Sequence, residues 1–201
     1  FYHAHRMSQL KTGVRRAGKS CLMQCIADEL RAEGVDDEHI VFFDLDRYGY
    51  RSVKTPRHLE ALVEPLLAIS GTKYLFIDEI QNVEGFEDVL NGFRTEGGFS
   101  IFVTVSNSYL LSGELATKLP GRYIEFEMQT RDSGEYCQMK SFLGLPVNPN
   151  PVAEFDAYIL EGGFPKAMDY PQLADKRAYV AAVMQEFFEK DIRRRVRIKC
   201  V

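Results

Sequence analysis

Gly13-Val14-Arg15-Arg16-Ala17-Gly18-Lys19-Ser20 has the residue types and spacing that hold a polyphosphate. Gly13 and Gly18 let the backbone take conformations that a side chain forbids. The backbone N–H groups between them can then converge on phosphate oxygens. Lys19 supplies a point charge for the β- and γ-phosphates, and the Ser20 hydroxyl is a ligand for Mg²⁺. We take the nucleotide-contacting stretch as Gly13, Val14, Arg15, Arg16, Ala17, Gly18, Lys19, Ser20 and the next residue, Cys21. The bland alternative is a glycine-rich turn with a solvated lysine. A second reactive pair is Asp78-Glu79, which follows the apolar run Tyr74-Leu75-Phe76-Ile77. Beside a phosphate loop, Asp78 would complete the Mg²⁺ shell and Glu79 would polarise the attacking water. Without that loop, the pair would read equally well as incidental acids at a strand end.

Both stretches need a scaffold that aims them at one point. The loop should follow a strand and open a helix. Upstream, Met7 to Thr12 alternates loosely between apolar and polar, less apolar than a central parallel strand normally is. Downstream, Leu22, Cys25, Ile26 and Leu30 recur at helical spacing, and Gly34 marks a stop. Cys21 and Cys25 share a helix face, where small core residues are the simpler expectation than metal ligands. Buried parallel strands are expected at His39–Leu45, Lys73–Asp78 and Phe99–Val105, and a more alternating one at Arg122–Met128. Between them, helices are expected from the Thr55 cap with Pro56 at its first position, over Gly85–Thr95, and over Tyr109–Leu119. Pro65 should shorten the first of these. Five strands with intervening helices give a doubly wound α/β domain with a mostly parallel sheet. Ligands bind at the carboxyl edge of such sheets, which is where Asp78 and Glu79 would stand.

Beyond Met128 the character changes to helices over Ser133–Leu143, Val152–Leu160 and a long run from Leu173 to about Arg197. The proline-rich stretch 144–151 and Gly162-Gly163-Phe164-Pro165 break them. We therefore expect a nucleotide-binding domain over 1–130 and a helical lid or appendage over 131–201, continuing into a further C-terminal domain. The basic stretch Arg193–Lys199 could grip nucleic acid, but a solvated helix end or a contact to further chain explains it more simply. His3 and His5 read as a terminal segment rather than a metal site.

Composition narrows the classes. The chain has 201 residues, 45% hydrophobic and 27% charged, with a net charge of −4. That is enough to bury a sizeable core, and no overall basic field favours nucleic acid. No apolar run reaches the roughly 20 residues of a membrane span, so no membrane partner is expected. Sparse cysteines beside an ATP-type loop fit a reducing cytoplasm.

Several stretches together resemble the predicted ATPases of the AAA+ superfamily in bacteria and archaea that join an AAA+-like core to a C-terminal domain of unknown function. They are Thr12–Ser20 with its double arginine; Tyr74–Gln81 with Asp-Glu-Ile-Gln; Ser106-Asn107-Ser108 with the following Leu110-Leu111-Ser112 and Glu114-Leu115-Ala116; Gly121-Arg122; Gly162–Pro165; and Lys190-Asp191-Ile192. The resemblance implies an AAA+-type fold with a helical lid, ATP and Mg²⁺ as ligands, and hydrolysis to ADP; it is compatible with an oligomer and does not fix the oligomeric state. It implies that Asn107, at a strand tip, orients water against the γ-phosphate, although a cap for the next helix reads equally well from the residues. It implies that Arg122 stabilises transition-state charge in cis or across a subunit contact. Val105 stands where the family has Gly, and Thr130-Arg131-Asp132-Ser133 where it has Pro-Leu-Ser-Phe, which bears on lid packing and not on the nucleotide site. The expected function is ATP hydrolysis that moves a partner or an appended domain. The alternatives are a nucleotide switch with little turnover and a small-molecule kinase on the same loop.

Overall fold

The computed structural model describes residues 8–105 and 123–189. By their contacts these fall into two compact units, one of residues 8–13, 19–105 and 123–127, the other of 14–18 and 128–189. The first unit holds a five-stranded sheet in the order β2-β3-β4-β1-β5. The strands are β1 (Ser8–Gly13), β2 (Ile40–Asp44), β3 (Lys73–Asp78), β4 (Phe99–Thr104) and β5 (Ile124–Met128). β2, β3, β4 and β1 run parallel to one another.

The apolar runs form strands because the sheet is covered on both faces. Alternate residues of β3 enter different cores. Tyr74 and Phe76 pack with Phe102 against Met23, Ile26, Ala27 and Leu30 of α1 (Lys19–Ala32). Leu75 and Ile77 pack with Ile101 and Val103 against α2 (Pro56–Val63) and α3 (Phe86–Glu96). Thr55 caps α2 through its side chain with Pro56 behind it, and the helix tightens into a 3₁₀ turn at Glu64–Ala68 around Pro65, as expected. Gly34, with φ of 91°, ends α1, and the Val35 N–H bonds to the Leu30 carbonyl.

Two expectations need correction. Cys21 and Cys25 are exposed on α1 and are not core residues. The buried stripe keeps the expected Ile26 and Leu30 and takes Met23 and Ala27 beside them, with Leu22 only partly buried, because the loop sets where the helix starts and so its rotation over the sheet. β5 does not alternate between a buried and an exposed face; Ile124 to Glu127 are all exposed at the edge of the sheet. The expected helix over 109–119 and the helical run beyond residue 189 lie outside the described residues.

β1 is loosely apolar yet interior. It buries Gln9, Lys11 and Thr12. Lys11 is 1% exposed, donates to Gln9 Oε1 at 2.8 Å and lies over the Phe126 ring at 3.7 Å. Thr12 donates to Glu125 at 2.9 Å.

The second unit holds α4 (Ser133–Phe142), α5 (Pro151–Glu161) and α6 (Leu173–Phe187). Asp132 and Glu135 form a reciprocal capping box at the start of α4, so the stretch that departs from the family pattern is a well-formed helix start. Glu154 is buried and bonded to the Lys140 ammonium and the Asn148 N–H. These bonds, Lys140 first, hold its carboxyl below the usual range. Gly162-Gly163 is a packing device. The Arg131 N–H donates to the Gly163 carbonyl at 2.9 Å, and a Cβ on Gly163 would stand 2.2 Å from the Arg131 oxygen. Gly163→Ala should therefore lower the thermal midpoint of the second unit by more than an exposed Gly→Ala change elsewhere, read by calorimetry.

Burial lowers the Lys11 pKa from 10.5 to about 8. Below pH 8 both states carry the proton and the folded state bears the whole cost of burying the charge. Between pH 8 and 10.5 the unfolded chain binds more protons, so stability rises with pH across that window. Lys11→Met should raise the melting temperature at pH 7 and remove this rise; the difference between the wild-type and variant pH profiles isolates it.

Candidate nucleotide site

Polar residues gather where the strands of the first unit end. Asp44 and Asp78 are register partners, and Lys11 is the register partner of Thr104. Asp78 is the last residue of β3, 5% exposed, on the same face as Tyr74 and Phe76. α1 covers that face, and it starts directly after β1 and the loop. The helix start and the Asp78 carboxylate thus share one face and one edge of the sheet.

Three hydrogen bonds order this edge. The Thr104 hydroxyl donates to Asp78 Oδ1. The Thr104 hydroxyl oxygen in turn accepts the Glu79 N–H at 2.8 Å. Gln81 Nε2 donates to Glu79 Oε2. Glu79 itself is left-handed, with φ of 55° and ψ of 47°, and leads into a 3₁₀ turn over Ile80–Asn82. For a residue with a side chain that conformation costs about 1–2 kcal/mol. Asp44 stands apart from this cluster, held by Arg47 at 3.0 Å and by the Asp46 N–H.

The loop is built as its glycines require. Gly13 has φ of 129° and Gly18 φ of 105°, and the Ala17 N–H turns back to the Val14 carbonyl at 3.3 Å. Lys19 is buried and donates to the Gly13 carbonyl at 2.9 Å, so the lysine folds over its own loop. Ser20 and Cys21 are exposed on the first turn of α1. Within the second unit, Val14 packs on the cluster of Phe164, Ala167 and Val183. Arg16, with φ of 66°, pairs with Glu186 of α6 at 3.3 Å. Arg15 is half-buried.

Among the predicted site residues, Gly13 and Lys19 meet through the bond from the lysine to the Gly13 carbonyl, and Asp78 and Glu79 are neighbours at the end of β3. Asn107 and Arg122 lie outside the described residues. Sequence reasoning missed Thr104 and gave Gln81 no role. The signal for Thr104 was present: it is the polar residue closing the run Phe99–Val103 at the end of a buried strand. The donors suit Mg²⁺. A serine hydroxyl and one carboxylate are hard oxygen ligands, and Mg²⁺ normally takes few protein ligands and fills its shell with phosphate and water. Among the described residues no group of three or more His, Cys, Asp and Glu gathers into a metal cage, and no helix is long and apolar enough to cross a membrane.

Residues 7–137 match the family described as an AAA domain. An uncharacterised protein of Haemophilus influenzae is 32% identical over 193 residues, covering 94% of this chain and 46% of that one. The chain therefore spans under half the length of that relative. Among solved structures, PCH-2 of C. elegans superposes with a TM-score of 0.55 at 15% identity, over 92% of this chain and 62% of that one. The replication initiator DnaA bound to AMPPCP and single-stranded DNA superposes with a TM-score of 0.54 at 14% identity, over 95% and 60%. At these identities the likeness is one of fold.

A Cβ on Gly18 would meet only the Met128 Cε at 3.9 Å, so space is not what requires glycine there; the φ of 105° is. Gly18→Ala should leave the melting temperature within a few degrees and weaken ATP binding at least tenfold, as read by titration calorimetry.

Proposed function

The chain belongs to the AAA domain family, and on that premise we propose that it binds ATP with Mg²⁺ and hydrolyses the β,γ-phosphoanhydride. The observation that supports this best is the Asp78-Glu79 pair at the carboxyl end of a fully buried strand, on the face where the lysine-bearing helix begins. A pure phosphate-binding loop has no need of the second carboxylate.

Each residue then has a defined task. Lys19 moves from the Gly13 carbonyl to the β- and γ-phosphates, and the backbone N–H groups of 14–20 surround them. Ser20 and Asp78 would hold Mg²⁺, which neutralises charge on the bridging and γ-phosphate oxygens when bound. Glu79 accepts a proton from water as its oxygen attacks the γ-phosphorus; the bond from that phosphorus to the bridging oxygen breaks, releasing ADP and phosphate. Positioning and electrostatics supply the acceleration. By resemblance, Asn107 orients the water and Arg122 meets the developing charge. The solved DnaA complex holds a nucleotide analogue, which supports ATP as ligand here.

We assign 1–130 to the nucleotide-binding domain and 131–201 to a helical lid. Turnover would drive movement of that lid and of a protein partner or further chain, in a cytoplasmic protein that works as an oligomer. Nucleic acid is the weaker partner reading, resting on the basic run 193–199 and on the DNA in the DnaA structure.

One observation favours a second reading, a nucleotide switch with low turnover. The Gln81 amide occupies a Glu79 carboxylate oxygen, which holds the base away from water until the bond is broken.

Glu79→Gln should keep ATP affinity within about threefold and cut phosphate release about 100-fold or more, the range for loss of a general base. Lys19→Ala should lose binding itself. Unchanged turnover in Glu79→Gln removes Glu79 from the reaction, and a wild type that binds ATP without steady-state phosphate release selects the switch.

A further inference from the structure

We propose that Thr104 is the positioning residue of the hydrolytic site, setting the Asp78 carboxylate for the metal and the Glu79 backbone for the water through a single hydroxyl. The inference rests on the reading of Asp78 as metal ligand and Glu79 as base.

The geometry assigns the role. Thr104 is the last residue of β4 and fully buried. Its hydroxyl has one proton, and that proton goes to Asp78 Oδ1. The carboxylate is thereby fixed in rotation, with Oδ1 engaged and Oδ2 the oxygen for a cation. A lone pair of the same hydroxyl accepts the Glu79 N–H at 2.8 Å. That bond pins the residue whose left-handed backbone decides where the Glu79 side chain leaves the strand. A serine keeps both bonds. A valine keeps the volume and branching of threonine and keeps neither. The Asp78 carboxylate and the Glu79 backbone are thus both tied to the end of β4, and a shift of that strand end reaches both together.

The test compares Thr104→Val with Thr104→Ser on two readouts. The first is Mn²⁺ affinity in the presence of AMPPCP, by electron paramagnetic resonance. The second is kcat for phosphate release at saturating ATP. Thr104→Val should weaken Mn²⁺ at least tenfold and lower kcat at least tenfold, with metal-free AMPPCP affinity within twofold of wild type. Thr104→Ser should stay within threefold of wild type on both. Mn²⁺ affinity and kcat within twofold of wild type in Thr104→Val overturn the proposal. So does a Thr104→Ser variant as damaged as Thr104→Val, because the hydroxyl is then not the agent. If the wild type binds nucleotide and does not turn over, the hydrolysis reading fails, and the Mn²⁺ comparison alone decides the role of Thr104. A thermal melt of each variant separates misfolding from misplacement, and Thr104→Ser keeps the question open to measurement should Thr104→Val not fold.

Discussion

A carboxylate at the end of a fully buried strand is the constraint on which this molecule turns. β3 has all six residues buried, and its last is Asp78. Burying a charge is costly unless it is paired, hydrogen-bonded or bound to a cation. The fold supplies the first instalment through the Thr104 hydroxyl, presented by the neighbouring strand at the matching level. The rest of the demand suits a metal ion carried in with a polyphosphate. The sheet order serves that demand. β3 and β1 flank β4, so the strand carrying the acid and the strand feeding the loop are separated by one strand that touches both. The helix after the loop must then lie across the face on which Asp78 stands.

The loop has a second allegiance. The chain passes from the first unit to the second and back between Gly13 and Lys19. Val14 packs on Phe164 and Val183, and Arg16 pairs with Glu186. The glycines that bracket this excursion are the two whose positive φ lets it happen. Residues that would wrap phosphate are therefore held by side chains of the helical unit. The Arg16 pair is half-exposed and weak by itself. Its place is notable, since it ties a residue between the two glycines to α6.

Much of this was legible in the sequence, for identifiable reasons. The strands β2, β3 and β4 announce themselves because a doubly covered parallel strand must be apolar on both faces, and charges bound each run. The α2 cap and its early end at Pro65 follow from local chemistry at Thr55, Pro56 and Pro65, which tertiary packing does not override. The rotation of α1 was not legible. Leu22 and Cys25 fit a helical stripe as well as Met23 and Ala27 do, and the choice depends on how the loop delivers Lys19 to the helix start. β1 was hard to read because Gln9, Lys11 and Thr12 are satisfied by each other and by β5 rather than by being apolar. Thr104 escaped notice because its role is defined by partners on another strand, 25 and 26 positions away. Glu79 and Asp78 were readable as types, but what holds them was not.

Backbone strain marks one residue in each unit. Among the described residues, Arg16 and Glu79 are the two with side chains that take positive φ. One lies in the loop between Gly13 and Gly18 and the other directly follows Asp78. A left-handed residue with a side chain persists only where its surroundings over-determine it. Around Glu79 those surroundings are Thr104 on its N–H and Gln81 on its carboxylate. Around Arg16 they include Glu186 on its guanidinium and the Val14–Ala17 turn beneath it. Neither conformation helps the sheet to pack, since both residues follow the strand ends. Strain kept at two such points, with partners that hold it in place, is what a site prepared in advance for a charged ligand requires. In each unit by itself, it favours a stretch built for a charged ligand over a plain turn or an incidental pair of acids.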